Sequence, residues 1–169
     1  MPYLIAALLP EPLRTEFGQL RTELDAWSGR WIPPHVTIVR PFTLDLEPGE
    51  LAELRRPVQA TAQIIAWSSF RNPGANVVFL EPTQEPFRHL RDDLFLRKPR
   101  LVEADTSADP YSQFAATPHY HITVSAHVPD NDIERIYSKV SQKTYLQVFQ
   151  LTSLALFSLD RSGFWEEVR

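Results

Sequence analysis

Cysteine is absent from the 169-residue chain. There is accordingly no disulfide framework, no thiolate zinc site, no iron–sulfur cluster and no cysteine nucleophile. Glycine is scarce, and Gly18, Gly29, Gly49, Gly74 and Gly163 are widely scattered. No GxGxxG or Walker loop can be assembled from them, so any phosphate must be held by side chains or isolated backbone amides. Long apolar runs are missing too. The longest, Tyr3–Leu9, is far short of a spanning helix and has no basic segment before it, so it does not read as a secretory signal. Basic residues are not in excess, with 17 Lys and Arg against 21 Asp and Glu and a net charge of −4. A protein that tracks long nucleic acid usually carries a basic stripe, whereas a short ligand or a nucleic-acid end needs only a few local charges. These absences lead to the expectation of a soluble, cytoplasmic globular protein. The length suits one domain, or two small lobes sharing a core.

What is present divides cleanly at its prolines. Tyr3–Leu9, flanked by Pro2 and Pro10, predicts a buried strand. Leu13, Phe17, Leu20, Leu24 and Trp27 recur at helical spacing and predict an amphipathic helix to about Trp27. His35–Val39 is β-branched enough for a strand, and Pro48–Arg55 predicts a short helix. Ala62–Phe70 and Asn76–Leu80 flank Arg71-Asn72-Pro73-Gly74-Ala75, the pattern of a hairpin with a Pro-Gly turn. A helix follows over Glu85–Arg97, then a loop over Lys98–Pro118 that reads equally well as a functional lid or a surface insertion. The remainder predicts a strand His121–Val128, a helix through Ile133, Ile136, Tyr137 and Val140, a strand Leu146–Leu159, a turn at Asp160–Gly163 and a strand Phe164–Val168. The order helix, strand, helix, hairpin thus occurs twice, in residues 1–82 and again in 83–169. No linker separates the halves, so a single two-lobed α+β domain is expected.

The strongest local signal occurs once in each half. His35-Val36-Thr37-Ile38 and His121-Ile122-Thr123-Val124 both read His, aliphatic, Thr, aliphatic. Residues i and i+2 of a strand point to one face, so each strand presents an imidazole and a hydroxyl roughly 6–7 Å apart while its aliphatic residues anchor the other face. By composition alone, two such copies among five histidines arise in about one sequence per thousand, which makes a purely structural origin the weaker account. Imidazole titrates near neutrality, so one ring can be a free base and the other a protonated acid. Displacement at phosphorus uses such a pair, with Thr hydroxyls donating to the non-bridging oxygens. No metal, cofactor, glycine loop or covalent nucleophile is required.

These paired motifs, and the stretch Pro34-His35-Val36-Thr37-Ile38-Val39-Arg40-Pro41-Phe42 with its trailing Pro-Phe, resemble the two-histidine (2H) phosphoesterases, which include the 2′-5′ RNA ligase-like proteins. The resemblance implies a bilobal fold of duplicated antiparallel sheets with flanking helices, the motifs facing each other across a central cleft. It also implies metal-independent action on a 2′,3′-cyclic phosphate or a 2′-5′ phosphodiester, on a nucleotide or RNA end, with His35, Thr37, His121 and Thr123 as the catalytic set. Reversal would amount to 2′-5′ ligation. Some members carry an Arg three residues after the second Thr; here that position is Ala126, and its counterpart in the first motif is Arg40. By strict alternation Arg40 shares the face of Val36 and Ile38, so it reaches the cleft only if the strand bends near Pro41. The family often has Pro directly before the motif His, which would nominate His119, but only His121 has the Thr at i+2.

Substrate contacts are expected from Arg40, Phe42, Tyr120 and Trp165, with Phe164 a further stacking candidate, although large aromatics are more often core. His119 and His121 share a strand face and could ligate zinc, yet no third ligand is identifiable. His89 and His127 read as structural, and Arg88, Arg91, Arg97, Lys98 and Arg100 as a solvated helix face. Other classes fit the same residues: a non-catalytic binder of nucleotides or RNA ends, or the same chemistry on a cyclic ADP-ribose phosphate or cyclic oligonucleotide. No feature indicates a protein partner or a membrane, and a monomer is expected.

Overall fold

The computed structural model describes residues 2–24, 32–43, 48–55, 57–71, 76–101, 118–142 and 147–168. Among them, the elements run β1 (Pro2–Leu8), α1 (Leu13–Leu24), β2 (His35–Thr43), α2 (Pro48–Leu54), β3 (Pro57–Phe70), β4 (Asn76–Pro82), α3 (Glu85–Arg97), β5 (Ile122–Val128), α4 (Ile133–Ser141), β6 (Val148–Leu159) and β7 (Trp165–Glu167). The twofold order of helix, strand, helix and hairpin stands, with β1 in addition. The expected helix end near Trp27, the Pro-Gly turn and, of the Lys98–Pro118 loop suggested as a lid, residues 102–117 lie outside the described residues. No described helix is long and apolar enough to cross a membrane.

The strands form one antiparallel seven-stranded sheet in the order β2-β1-β6-β3-β4-β5, with β7 beside β6. β1 is apolar throughout because both of its faces are covered. Ile5 and Ala7 join the main core, and Leu4 and Ala6 join a smaller cluster with Ile32, Ala155 and Phe157 on the opposite side. β3 is longer than its hydrophobic pattern predicts. Its first half pairs with β6 and its second half with β4, so one strand carries the sheet from lobe to lobe. Along Pro57–Gln63 only Val58 and Ala62 are buried while Gln59, Thr61 and Gln63 are exposed, a pattern too sparse to announce a strand by itself.

The two sequence halves interleave in space. The β3–β4 hairpin of the first half supplies the neighbour of β5, and β6 of the second half supplies a neighbour of β1. The helices cross in the same way: α1 packs near β5, and α3 near β2. The main core accordingly contains residues of both halves, including Phe17, Leu20, Val36 and Ile38 together with Phe87, Leu94, Ile122 and Val124. The two edge strands β2 and β5 are farthest apart in sheet order, yet their Cα atoms approach within 8 Å. The sheet therefore curls until its edges face each other, and those edges carry the two His-x-Thr motifs.

Candidate active site

His35 opens β2, and His121 immediately precedes β5. Val36 and Ile38, like Ile122 and Val124, are buried in the core, so the alternate residues His35, Thr37, His121 and Thr123 turn to the other face, where each is partly accessible. Register places His35 opposite Leu8, Thr37 opposite Ala6, and Thr123 opposite Phe79. On the second lobe the His121 ring rests on aromatic neighbours, with centroids 5.1 Å from Phe70 and 5.1 Å from Phe79. Both rings belong to a small buried cluster with Val77, against which Ala126 packs. Sequence reading found the β3–β4 hairpin but not this support, because nothing local links that hairpin to a strand so far along the chain.

Both histidines make the same hydrogen bond. His35 Nδ1 lies 2.7 Å from the Pro33 carbonyl oxygen, and His121 Nδ1 lies 2.9 Å from the His119 carbonyl oxygen. A carbonyl only accepts, so Nδ1 carries the proton in each ring and Nε2 is the nitrogen left for chemistry. Burial is the largest influence on both rings and pushes each down to about 4; the carbonyl bonds oppose it. Nearby positive charge lowers them further. Arg21 and His121 act on His35, while His119 and Arg40 act on His121.

The influence of Arg40 on His121 runs from β2 to the facing strand, and the register explains it. β2 carries a shift between the Ala6–Thr37 and Ile5–Val39 pairs, with a second one toward Tyr3–Phe42. The extra residue behind Thr37 breaks the alternation, so Ile38 and Val39 are both buried and Arg40 emerges on the cleft side. β5 carries the matching shift just after Thr123. The irregularity is thus duplicated with the motif, and Ala126 takes the place that Arg40 holds in β2.

The aromatic candidates separate. Phe42 is fully buried in the core, 5.9 Å from the Tyr3 ring, and Tyr120 is buried there against Phe87. Neither presents a ring to the cleft, which corrects the expectation that they contact substrate. The two register shifts cancel by the time β2 reaches Phe42, which lies opposite core-facing Tyr3 and so keeps the core parity that counting from His35 gives it. Trp165 is different. The pairs His35–Leu8, Leu4–Phe157 and Leu159–Trp165 put it on the face of His35, packed on the smaller apolar cluster. Phe164, 41% exposed, flanks it.

Arg21 escaped the sequence reading although its signal was present, a charge on the apolar stripe of α1. It is 5% exposed and donates from Nη1 to the Ile32 carbonyl at 2.9 Å. His119 stacks on His121 at 6.3 Å and has its Nε2 3.9 Å from Glu81 Oε1. Among the described residues no three His, Cys, Asp or Glu side chains assemble as a metal-binding group. His89 is an exposed helix residue 3.4 Å from Glu85, and His127 is exposed at the end of β5 with φ of 54°. Of the basic residues on α3, Arg97 meets Asp93 at 2.9 Å and Arg91 lies over the Phe95 ring at 4.4 Å, while Lys98, at the helix C-cap, meets Glu53 at 2.5 Å.

The chain is similar over 100% of its length to TT0787 of Thermus thermophilus, with a TM-score of 0.58, 18% identity and 96% of that chain covered. Usb1 of Kluyveromyces marxianus matches at a TM-score of 0.48 and 14% identity, over 92% of each chain. No curated protein sequence matches. The family model of the 2′-5′ RNA ligase superfamily matches residues 9–163, spanning both His-x-Thr strands. With that match over most of the chain, and the fold shared with TT0787, the chain belongs to the 2′-5′ RNA ligase superfamily of phosphodiester-processing enzymes.

Proposed function

We propose that the chain is a metal-independent phosphodiesterase that hydrolyses a 2′,3′-cyclic phosphate or a 2′-5′ phosphodiester on a nucleotide or RNA end, with His35 and His121 as the acid–base pair. The observation that carries this reading is the repeated tie of Nδ1 to a backbone carbonyl, which leaves one Nε2 on each facing strand for proton transfer. Water attacks phosphorus as one neutral Nε2 takes its proton. The P–O bond to the leaving oxygen breaks as the other ring donates its Nε2 proton to that oxygen. A phosphomonoester results, and the two rings have exchanged protonation states. Thr37 and Thr123, sharing the faces of the two imidazoles, donate to the non-bridging oxygens, and Arg40 offsets the charge that gathers there. Trp165 offers an apolar wall to the nucleoside portion on the His35 side.

A panel of 2′,3′-cyclic nucleotides and 2′-5′ dinucleotides tests this directly. Turnover of at least one substrate is expected, with His35→Ala and His121→Ala each lowering kcat about 10²–10⁴-fold. Activity that persists in either variant overturns the assignment. Tight binding of a cyclic nucleotide without turnover supports a non-catalytic binder instead.

A further inference from the structure

The carbonyl that holds His35 Nδ1 belongs to the Pro33–Pro34 peptide. Two successive pyrrolidine rings restrict the backbone there, and the peptide has no N–H to engage. The carbonyl that holds His121 Nδ1 belongs to the His119–Tyr120 peptide, which has neither restraint. Gln84 supplies one. Its Oε1 accepts the Tyr120 N–H at 2.8 Å, and its Nε2 donates to the Tyr120 carbonyl at 2.9 Å and to the Pro82 carbonyl at 2.7 Å.

Tyr120 N–H and His119 C=O are the two ends of a single peptide group. A continuous chain therefore runs from Gln84 Oε1 through that peptide to His121 Nδ1–H, each bond polarising the next. Gln84 occupies the N-cap of α3, a position where Ser, Thr, Asp or Asn would serve the helix better, and its side chain makes no capping bond. Its amide is committed to Tyr120 and the neighbouring Pro82 carbonyl. The Tyr120 ring is meanwhile fixed in the core, 5.7 Å from Phe87 of the same helix.

We infer that Gln84 is a positioning residue for His121: by clamping the Tyr120 backbone it does with hydrogen bonds what Pro33 and Pro34 do covalently for His35. The inference rests on His121 acting in the acid–base pair. It accounts for a catalytic strand entered through Tyr120 where its counterpart is entered through Pro34.

The test combines side-chain ¹⁵N NMR of the histidines, which reads the tautomer without any substrate, with steady-state kinetics on the substrate turned over. In Gln84→Met the His121 proton is expected to distribute between Nδ1 and Nε2 while His35 is unchanged. In the same variant kcat should fall about tenfold or more with KM little altered, and the pH profile should shift, as for a misplaced catalytic group. Gln84→Glu keeps an acceptor for the Tyr120 N–H, so it should retain the Nδ1–H tautomer and recover part of kcat. A folded Gln84→Met protein with an unchanged His121 tautomer and pH profile, even one that melts earlier, overturns the inference. If Gln84→Met does not fold, loss of the Nδ1–H tautomer in Gln84→Glu overturns it equally. Absence of turnover by the unaltered protein would remove the hydrolase reading, while the NMR result would still decide what Gln84 does.

Discussion

At each motif histidine a single carbonyl, two residues back, determines which nitrogen is free. The consequence appears in the pH dependence of catalysis. With both rings held down to about 4 before substrate binds, only a small fraction of molecules carries one neutral and one charged imidazole near neutral pH. An anionic phosphate between the rings favours their protonated forms and raises both values. Rate profiles should therefore separate. kcat/KM, which reports the free enzyme, falls as pH rises above about 4, whereas the bell-shaped optimum of kcat lies at higher pH. Coincident optima for the two parameters would contradict this account. The His-x-Thr residues themselves were legible from spacing. The state of their rings was not, because it depends on backbone oxygens that no sequence pattern specifies.

Elements decide which side chains reach those rings. Helix α3, the start of α1 and the pairing of β3 with β4 lie where apolar spacing puts them, although β3 begins earlier than its pattern predicts. Register does not follow in the same way. Arg40 was readable only as a residue of core parity, and the bulge behind Thr37 returns it to the cleft. A bulge reflects how a strand matches its neighbour, and β1 lies far from β2 in sequence. The same distance hid Phe70 and Phe79 beneath His121. Phe79 is 1% exposed, so Phe79→Ala should cost about 3–5 kcal/mol. It should also lower kcat, since the His121 ring loses one of its supports. Denaturant melts and kinetics on the folded fraction measure the two effects separately, and a stability loss with unchanged kcat would show that Phe70 alone suffices.

For the molecule as a whole, interleaving has a direct test. β5 takes its neighbour from the first half and β1 takes one from the second, and the main core draws on both. Fragments 1–82 and 83–169 should therefore each lack dispersed NMR spectra and a cooperative melt, and regain both on mixing if the halves reassociate. A fragment that folds alone would refute this. Stability should also depend on acid. The two imidazoles have values of about 4 in the folded protein and 6.5 as the ordinary reference, so the unfolded chain binds more protons between those limits. Their contribution is complete above about 6.5 and is lost as pH falls toward 4. Melting temperature should drop across that window, and His35→Gln should make the drop shallower.

Cysteine and glycine content, the single pair of His-x-Thr strands and the absence of a basic stripe were properties of the sequence alone, and they are the features on which the proposed imidazole and hydroxyl chemistry rests. Local periodicity encodes which face a residue occupies, because a strand alternates and a helix repeats wherever it is placed. Tertiary structure decided the rest: the curl that brings β2 to β5, the bulge that exposes Arg40, the burial of Phe42 and Tyr120, and the Gln84 clamp on the strand of His121. Each of these is set by a partner distant along the chain, and only the packed fold chooses that partner.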